Sequence, residues 1–242
     1  MTTSPVPSTH IDVRALFVHA HPDDEAITTG GTIAVLVAAG VDVRVVTCTL
    51  GEEGEVLGEE FAGLTSDRAD QLGGYRIAEL SAALRALGVD RPRFLGDAGR
   101  WRDSGMAGTP SADHPRAFVG SGRAAVEEMA GILDGWRPDL VVTYDPRGGY
   151  GHPDHVRAHE VVHAALGEAA HRPRRVAWTV TARSDVSLVH PGPPSHLRHA
   201  LPDELPSVRD SRLTHRVPLD PSSYAAKLEA LTGHATQLEL VP

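Results

Sequence analysis

The strongest constraint on the fold is the alternation of short apolar segments with longer segments of helical character. Segments rich in β-branched or apolar residues predict five strands, at residues 13–18, 41–48, 93–95, 140–144 and 175–181. The intervening and following segments predict helices at residues 28–39, 67–87, 124–133, about 153–170 and 222–232. Strands that alternate with helices pair in parallel through right-handed crossovers. The sequence therefore predicts an α/β fold, Rossmann-like, with an open, mostly parallel sheet and helices on both faces.

The chain has 242 residues, a length that fits one large domain or two small ones. We expect an α/β core in residues 1–181 and a variable C-terminal region, residues 182–242, that packs on this core within the same domain. Residues 99–123 are polar, rich in glycine and aperiodic. Loops of this length inside compact domains are usually functional or disordered.

Composition argues against several kinds of partner. The 23 basic and 32 acidic residues give a net charge of −9, which disfavours nucleic acid and an anionic membrane surface. Cys48 is the only cysteine, so an intrachain disulfide is excluded and a reducing compartment is the simpler assumption. The first ten residues lack the apolar stretch of a signal peptide. We therefore expect a cytoplasmic protein with no nucleic-acid or membrane partner.

The first segment with chemical potential, His21-Pro22-Asp23-Asp24, follows the first predicted strand. His21 and Asp24 are three residues apart and can converge within a turn, and imidazole and carboxylate groups both bind divalent metals. Asp23 would then face elsewhere and remain free for proton transfer. The two aspartates also suit a helix N-terminus, so this segment alone leaves both interpretations open. No G-x-G-x-x-G motif is present, which argues against dinucleotide binding.

A second segment follows the fourth predicted strand, where a glycine-rich bend leads to His152-Pro153-Asp154-His155. Pro153 suits the first position of a helix, and a helix that carries solvated histidines is the alternative interpretation. In a doubly wound sheet the first and fourth strands are neighbours at the point where the strand order reverses, so both segments would line one crevice. Two histidines and one aspartate with an open coordination position are typical of a hydrolytic metal site.

The two segments resemble the hallmarks of the LmbE-like, or PIG-L-like, metal-dependent N-deacetylases, which are A-H-P-D-D-E (residues 20–25) and H-P-D-H (residues 152–155). Residues 47–56, 70–77 and 99–106 are similar to the deacetylases of the mycothiol pathway, and the resemblance returns at residues 234–237. It implies the metal ligands His21, Asp24 and His155, the catalytic residues Asp23, His152 and Asp154, and the substrate contacts Arg76, Asp103 and Tyr150.

The resemblance also implies how these residues act. The metal would be zinc, with ferrous iron as the alternative. Asp23 would be the general base, and a protonated His152 would face the developing oxyanion. Asp154 would hold a histidine in place. Glu25 and Glu55 are compatible with either structural hydrogen bonding or sugar contact.

The implied reaction is removal of the acetyl group from a small N-acetylated amino sugar, N-acetylglucosaminyl-inositol in mycothiol biosynthesis. A mycothiol S-conjugate amidase, or another sugar N-deacetylase of the family, would share the same metal site. A remote alternative is a non-haem iron oxygenase that uses His21, Asp23 and a distant histidine as its facial triad. A metal-binding sugar-recognition protein without activity is a further alternative.

Overall fold

The computed structural model describes residues 12–186 and 206–239. Its strands form one sheet in the order β3-β2-β1-β4-β5, and every neighbouring pair is parallel. The strands are β1 (Arg14–His19), β2 (Asp42–Thr47), β3 (Arg93–Phe94), β4 (Leu140–Tyr144) and β5 (Arg175–Thr179). This order confirms the predicted α/β fold and places its reversal between β1 and β4.

Helices cover both faces of the sheet. They are α1 (Gly30–Ala38), α2 (Leu72–Ala86), α3 (Gly122–Trp136), α4 (Pro153–Glu168), the short α5 (Arg183–Val186) and α6 (Pro221–Thr232). Successive side chains of a strand point to opposite faces, so Leu16 and Val18 of β1 pack with α3 and α4, whereas Phe17 packs with α1, α2 and α6. Burial on both faces explains why residues 15–18 of β1 are all apolar.

Two predicted helix starts are displaced. The helix predicted at residues 67–87 begins at Leu72, because the preceding residues form turns in which Asp70 has a φ of +51°. The helix predicted at residues 28–39 begins at Gly30 as α1, and a turn of π-helix, Glu25–Thr29, directly precedes it. Single π turns are frequent at functional sites, and this one directly follows the first histidine segment.

Within the described part of the C-terminal region, α6 contacts the core. Helix α6 lies against α1 and α2, and its Ala230 is fully buried in the cluster beneath them. Residues 187–205, which hold much of the proline- and histidine-rich stretch, lie outside the described residues. Among residues 12–186 and 206–239, every helix is too short or too polar to cross a membrane.

Candidate active site

The turns that follow β1 and β4 meet at the carboxyl edge of the sheet, because the two strands are parallel neighbours. Nδ1 of His21 lies 3.3 Å from Nε2 of His155. The Asp24 carboxylate reaches both rings, with Oδ2 3.4 Å from His21 Nδ1 and Oδ1 3.4 Å from His155 Nε2. All three residues are buried. The structure thus brings His155 together with His21 and Asp24, which lie in a segment far away in the sequence.

The 3.3 Å between His21 Nδ1 and His155 Nε2 and the 3.4 Å from His155 Nε2 to Asp24 Oδ1 suit ligands of a divalent metal ion. Ligands about 2.0–2.1 Å from a tetrahedral zinc ion are about 3.3–3.4 Å from one another. Asp24 Oδ2 already accepts hydrogen bonds from the Tyr144 hydroxyl at 2.7 Å and from the His21 backbone N–H at 2.9 Å. Oδ1 is therefore the oxygen better placed to face an ion. Asp24 stands at the N-cap position of the following π-helical turn, but its side chain makes no capping hydrogen bond there.

Hydrogen-bond acceptors behind both histidines fix which nitrogen faces the centre. His21 Nε2 lies 3.3 Å from Oδ2 of Asp154 and 3.4 Å from Oδ1 of Asp103. His155 Nδ1 lies 3.2 Å from the carbonyl oxygen of Gly148. An N–H donated to these acceptors leaves lone pairs on His21 Nδ1 and His155 Nε2. Both lone pairs point to the place where a metal could bind.

His152 lies at the same centre, with a nitrogen within 4.8 Å of nitrogens of His21 and His155. Its Nδ1 accepts a hydrogen bond from the backbone N–H of Asp154 at 3.1 Å and so caps α4. Burial, together with His21 and His155, lowers the pKa of His152 to about 4. This shift favours the neutral ring over the protonated His152 that the resemblance implies. The neutral ring offers an Nε2–H donor rather than a metal ligand.

Negative charge dominates the centre. Burial favours neutral imidazole, but Asp103, Asp154 and Asp24 outweigh it and raise the pKa of His21 well above its usual value. The pKa of Asp24 is held well below its usual range, despite burial, by His155 and His21. Surroundings that favour a positive charge on His21 also favour a bound cation.

Asp23 stands beside this centre in a strained backbone conformation. Its φ of +117° is rare for a residue with a side chain and costs about 1–3 kcal/mol. Its Oδ2 accepts a hydrogen bond from Arg76 Nη2 at 2.9 Å. Burial, only partly offset by Arg76, raises the pKa of Asp23 to about 6. A carboxylate with such a pKa is suited to take up a proton near neutral pH.

Arg76 braces the turn that carries Asp23. Its buried guanidinium also donates to the carbonyl oxygens of Pro22 and of Gly51, the latter at 2.8 Å. Glycine is favoured at position 51, because its φ is +67° and an added Cβ would meet the Arg76 guanidinium. The described contacts of Arg76 are with the protein itself, so its contact with substrate remains a prediction.

Asp103 lies beside His21, and Tyr150 lies beside His155. Asp103 is buried behind His21, where its carboxylate accepts the backbone N–H of Gly105 at 2.8 Å, so the aperiodic loop of residues 99–123 contributes to the site. The Tyr150 side chain is 57% exposed, with its ring centroid 5.0 Å from that of His155. Burial of its hydroxyl group raises the pKa of Tyr150 to about 12, so the group is a donor at neutral pH.

Sequence reasoning misses Tyr144, the last residue of β4. Its ring stacks on His155 with centroids 4.2 Å apart, and its hydroxyl joins Asp24 Oδ2 to the Ala20 backbone N–H. The apolar run of residues 140–144 assigns it to the core. The signal that could have found it is a hydroxyl-bearing side chain at the carboxyl end of the strand that leads into the second histidine segment.

Comparison with known proteins agrees with this geometry. The PIG-L family model, described as GlcNAc-PI de-N-acetylase, matches residues 16–166. The chain belongs to the PIG-L family of N-deacetylases. It is 56% identical to the 1D-myo-inositol 2-acetamido-2-deoxy-alpha-D-glucopyranoside deacetylase of Nocardia farcinica, over 94% of this chain and 81% of that one. The protein of the same name from Corynebacterium diphtheriae is 53% identical, over 95% of this chain and 78% of that one.

Solved structures support the fold. A deacetylase triple mutant involved in teicoplanin biosynthesis aligns with a TM-score of 0.58 at 21% identity, over 93% of this chain and 83% of that one. The A40926 pseudoaglycone deacetylase Dbv21 aligns equally well at 21% identity, over 93% of this chain and 82% of that one, with a TM-score of 0.58. The α/β architecture described above is thus shared with deacetylases of distant sequence.

Proposed function

We propose that the chain hydrolyses the N-acetyl amide of N-acetylglucosaminyl-inositol in mycothiol biosynthesis, releasing acetate and a free amine. The observation that carries the proposal is the meeting of His21, Asp24 and His155 within 3.4 Å of one another, beside Asp23. The substrate assignment is supported by relatives of that named activity that are more than half identical over most of the chain.

The three convergent residues would hold zinc, with ferrous iron as the alternative, because these ligand types suit both ions. When bound, the ion polarises the acetyl carbonyl and lowers the pKa of a coordinated water from about 15.7 towards about 7. Asp154 and Asp103 keep His21 oriented through its Nε2. Tyr144 does the same for Asp24.

Asp23 and His152 would handle the proton and the charge. Arg76 engages Oδ2 of Asp23, so Oδ1 is the oxygen that accepts a proton from the attacking water as the new C–O bond forms. The same proton passes to the nitrogen as the amide C–N bond breaks, and the products are acetate and the amine. The Nε2–H of His152 donates to the carbonyl oxygen as it gains negative charge, a contribution of about 3–4 kcal/mol in comparable sites.

Substrate selection would fall to groups around the mouth of the site. Tyr150 is the most exposed of the three predicted substrate contacts, and its hydroxyl can donate to a sugar oxygen. Contact of Arg76 and Asp103 with the sugar is part of the proposal, although both are buried and already bonded to the protein.

The alternatives are less well supported. A mycothiol S-conjugate amidase would share the metal site, but the named activity of the relatives favours the deacetylase. A facial triad of His21, Asp23 and a distant histidine is disfavoured, because Asp24 rather than Asp23 faces both His21 and His155.

The test is acetate release by the purified protein loaded with zinc or, anaerobically, with ferrous iron. We expect the fastest release from N-acetylglucosaminyl-inositol, slower release from N-acetylglucosamine and little cleavage of a mycothiol S-conjugate. Preferred cleavage of the S-conjugate would identify an amidase instead. Bound metal without acetate release from any of the acetylated sugars would favour a sugar-recognition protein.

A further inference from the structure

The segment that follows α6 reaches the proposed catalytic turn through one buried pair. Nε2 of His234 lies 2.7 Å from Oε1 of Glu25, and both side chains are fully buried. The second oxygen of Glu25, Oε2, accepts the backbone N–H of Asp23 at 3.0 Å. A single carboxylate therefore links His234 to the backbone of the proposed base.

Asp23 needs such a link because of its backbone conformation. A φ of +117° is sterically unfavourable for a side-chain-bearing residue and persists only where the surroundings enforce it. Arg76 holds the Asp23 side chain, and Glu25 holds its backbone N–H. Glu25 can fix this N–H in one position only if its own carboxylate is held. The contact of His234 Nε2 with Oε1 holds that carboxylate.

His234 is itself anchored independently of the catalytic turn. Its backbone N–H donates to the Leu231 carbonyl oxygen at 3.2 Å, and its carbonyl oxygen accepts the N–H of Leu238 at 2.8 Å. Two residues further on, Thr236 donates from its backbone N and from Oγ1 to the two carboxylate oxygens of Glu79 on α2, at 2.8 Å each. The segment is thus fixed to α2 as well as to α6.

We propose that His234 is a positioning residue for the reaction: acting through Glu25, it sets the backbone of Asp23 and hence the direction of the Asp23 carboxylate. The inference rests on the proposed function, which assigns the base role to Asp23. It extends the site beyond residues 16–166, the part of the chain that the family model matches.

The test begins with His234→Leu, which replaces the imidazole donor with an apolar side chain of similar size. We expect kcat for acetate release to fall about 30-fold, since a misplacement of about 1 Å can cost up to about 10²-fold. KM and bound metal should change by less than about twofold, because no ligand or predicted substrate contact is altered. His234→Gln, whose amide can donate from near the position of Nε2, should restore most of kcat.

The matched control is Thr236→Val, which removes a buried hydrogen bond from the same segment without touching Glu25. We expect it to lower the melting temperature while kcat stays within about twofold of wild type. Glu25→Asp, one methylene shorter, cannot span both partners and should reproduce the loss of kcat. Combined with His234→Leu it should add little, because the two residues act as one unit.

The outcomes separate the two proposals. A wild-type protein that releases no acetate overturns the proposed function. If wild type is active and metal-loaded His234→Leu or Glu25→Asp has normal kcat, the positioning role is wrong and the proposed function stands. Equal losses of kcat in His234→Leu, His234→Gln and Thr236→Val would reveal general destabilisation and would also overturn the inference.

Discussion

The two turns that form the site are stabilised in different ways. The turn after β1 carries a non-glycine residue, Asp23, at positive φ and is supported by side chains distant in sequence, Arg76 and His234. The turn after β4 places three glycines at positive φ, at positions 148, 149 and 151. It is supported locally, by the Asp145 carboxylate and by the His152 cap of α4.

The difference follows from what each turn must present. The turn after β4 presents a ring nitrogen of His155, and glycine makes the required bend possible without strain. The turn after β1 presents two of the three proposed metal ligands and the proposed base, and the base needs a side chain where glycine would be favoured. Its strain is offset by remote contacts, so we expect it to be sensitive to substitutions far away in the sequence, whereas the second turn should respond mainly to local ones.

The largest effect is expected at the strained position itself. Asp23→Ala should lower kcat about 10³-fold, within the range of about 10² to 10⁴ for loss of a general base. Metal content should stay normal, because the side chain is not among the proposed ligands. Acetate release and elemental analysis of the purified protein measure the two quantities. Asp24→Ala is the contrasting variant and should lose the metal; near-normal turnover by Asp23→Ala would disprove the base assignment.

In the second turn, Gly148→Ala should weaken metal binding about 10- to 100-fold, as loss of the groups that orient a ligand commonly does. A Cβ at Gly148 would lie 2.6 Å from the backbone N of Val156 and 2.7 Å from Cβ of His155, so it displaces the ligand. Gly149→Ala is the matched control, with a similar φ of +67° and no atom within 4 Å of an added Cβ. Competition with a chromophoric chelator measures the affinity; equal losses in both variants would point to backbone strain alone.

Tyr144→Phe should have a smaller effect, about 10-fold weaker metal binding, because it removes a hydroxyl that orients Asp24 without displacing either turn. The same chelator competition applies. Tyr224→Phe, at an exposed position on α6, is the control and should bind metal as wild type does. Unchanged affinity in Tyr144→Phe would mean that the Asp24 carboxylate is held without this hydroxyl.

The shift in the pKa of Asp23 that follows when the positive charge moves away is the smallest of these effects, and it is separate from any loss of kcat caused by altering the Arg76 brace of the turn. Arg76 lowers the pKa of Asp23, so Arg76→Lys, with its charge farther away, should raise that pKa. Asp23 is then protonated at a higher pH, and the acidic limb of the kcat/KM profile should move upward by less than about one unit. A kcat/KM profile measured from pH 5 to 9 tests this. An acidic limb that moves to lower pH would contradict the claim that the Arg76 charge lowers the pKa of Asp23.

Much of the fold and of the donor set follows from the sequence, because both depend on local patterns. Strand β4 is predicted to the residue, and the doubly wound order is sufficient to place His21 beside His155. The supports of the turn after β1 cannot be predicted in this way. The contact of Arg76 with Asp23 spans 53 positions and that of His234 with Glu25 spans 209, and neither is encoded by any local periodicity. The lowered pKa of His152 likewise depends on burial and on His21 and His155, which only the folded chain brings together.

The most direct test of the central claim is anomalous diffraction at the zinc edge from crystals of the zinc-loaded protein. A single strong peak is expected, about 2.0–2.2 Å from Nδ1 of His21, Oδ1 of Asp24 and Nε2 of His155. A peak on the Nε2 side of His21, between Asp103 and Asp154, or one ligated by His152 in place of Asp24, would contradict the account.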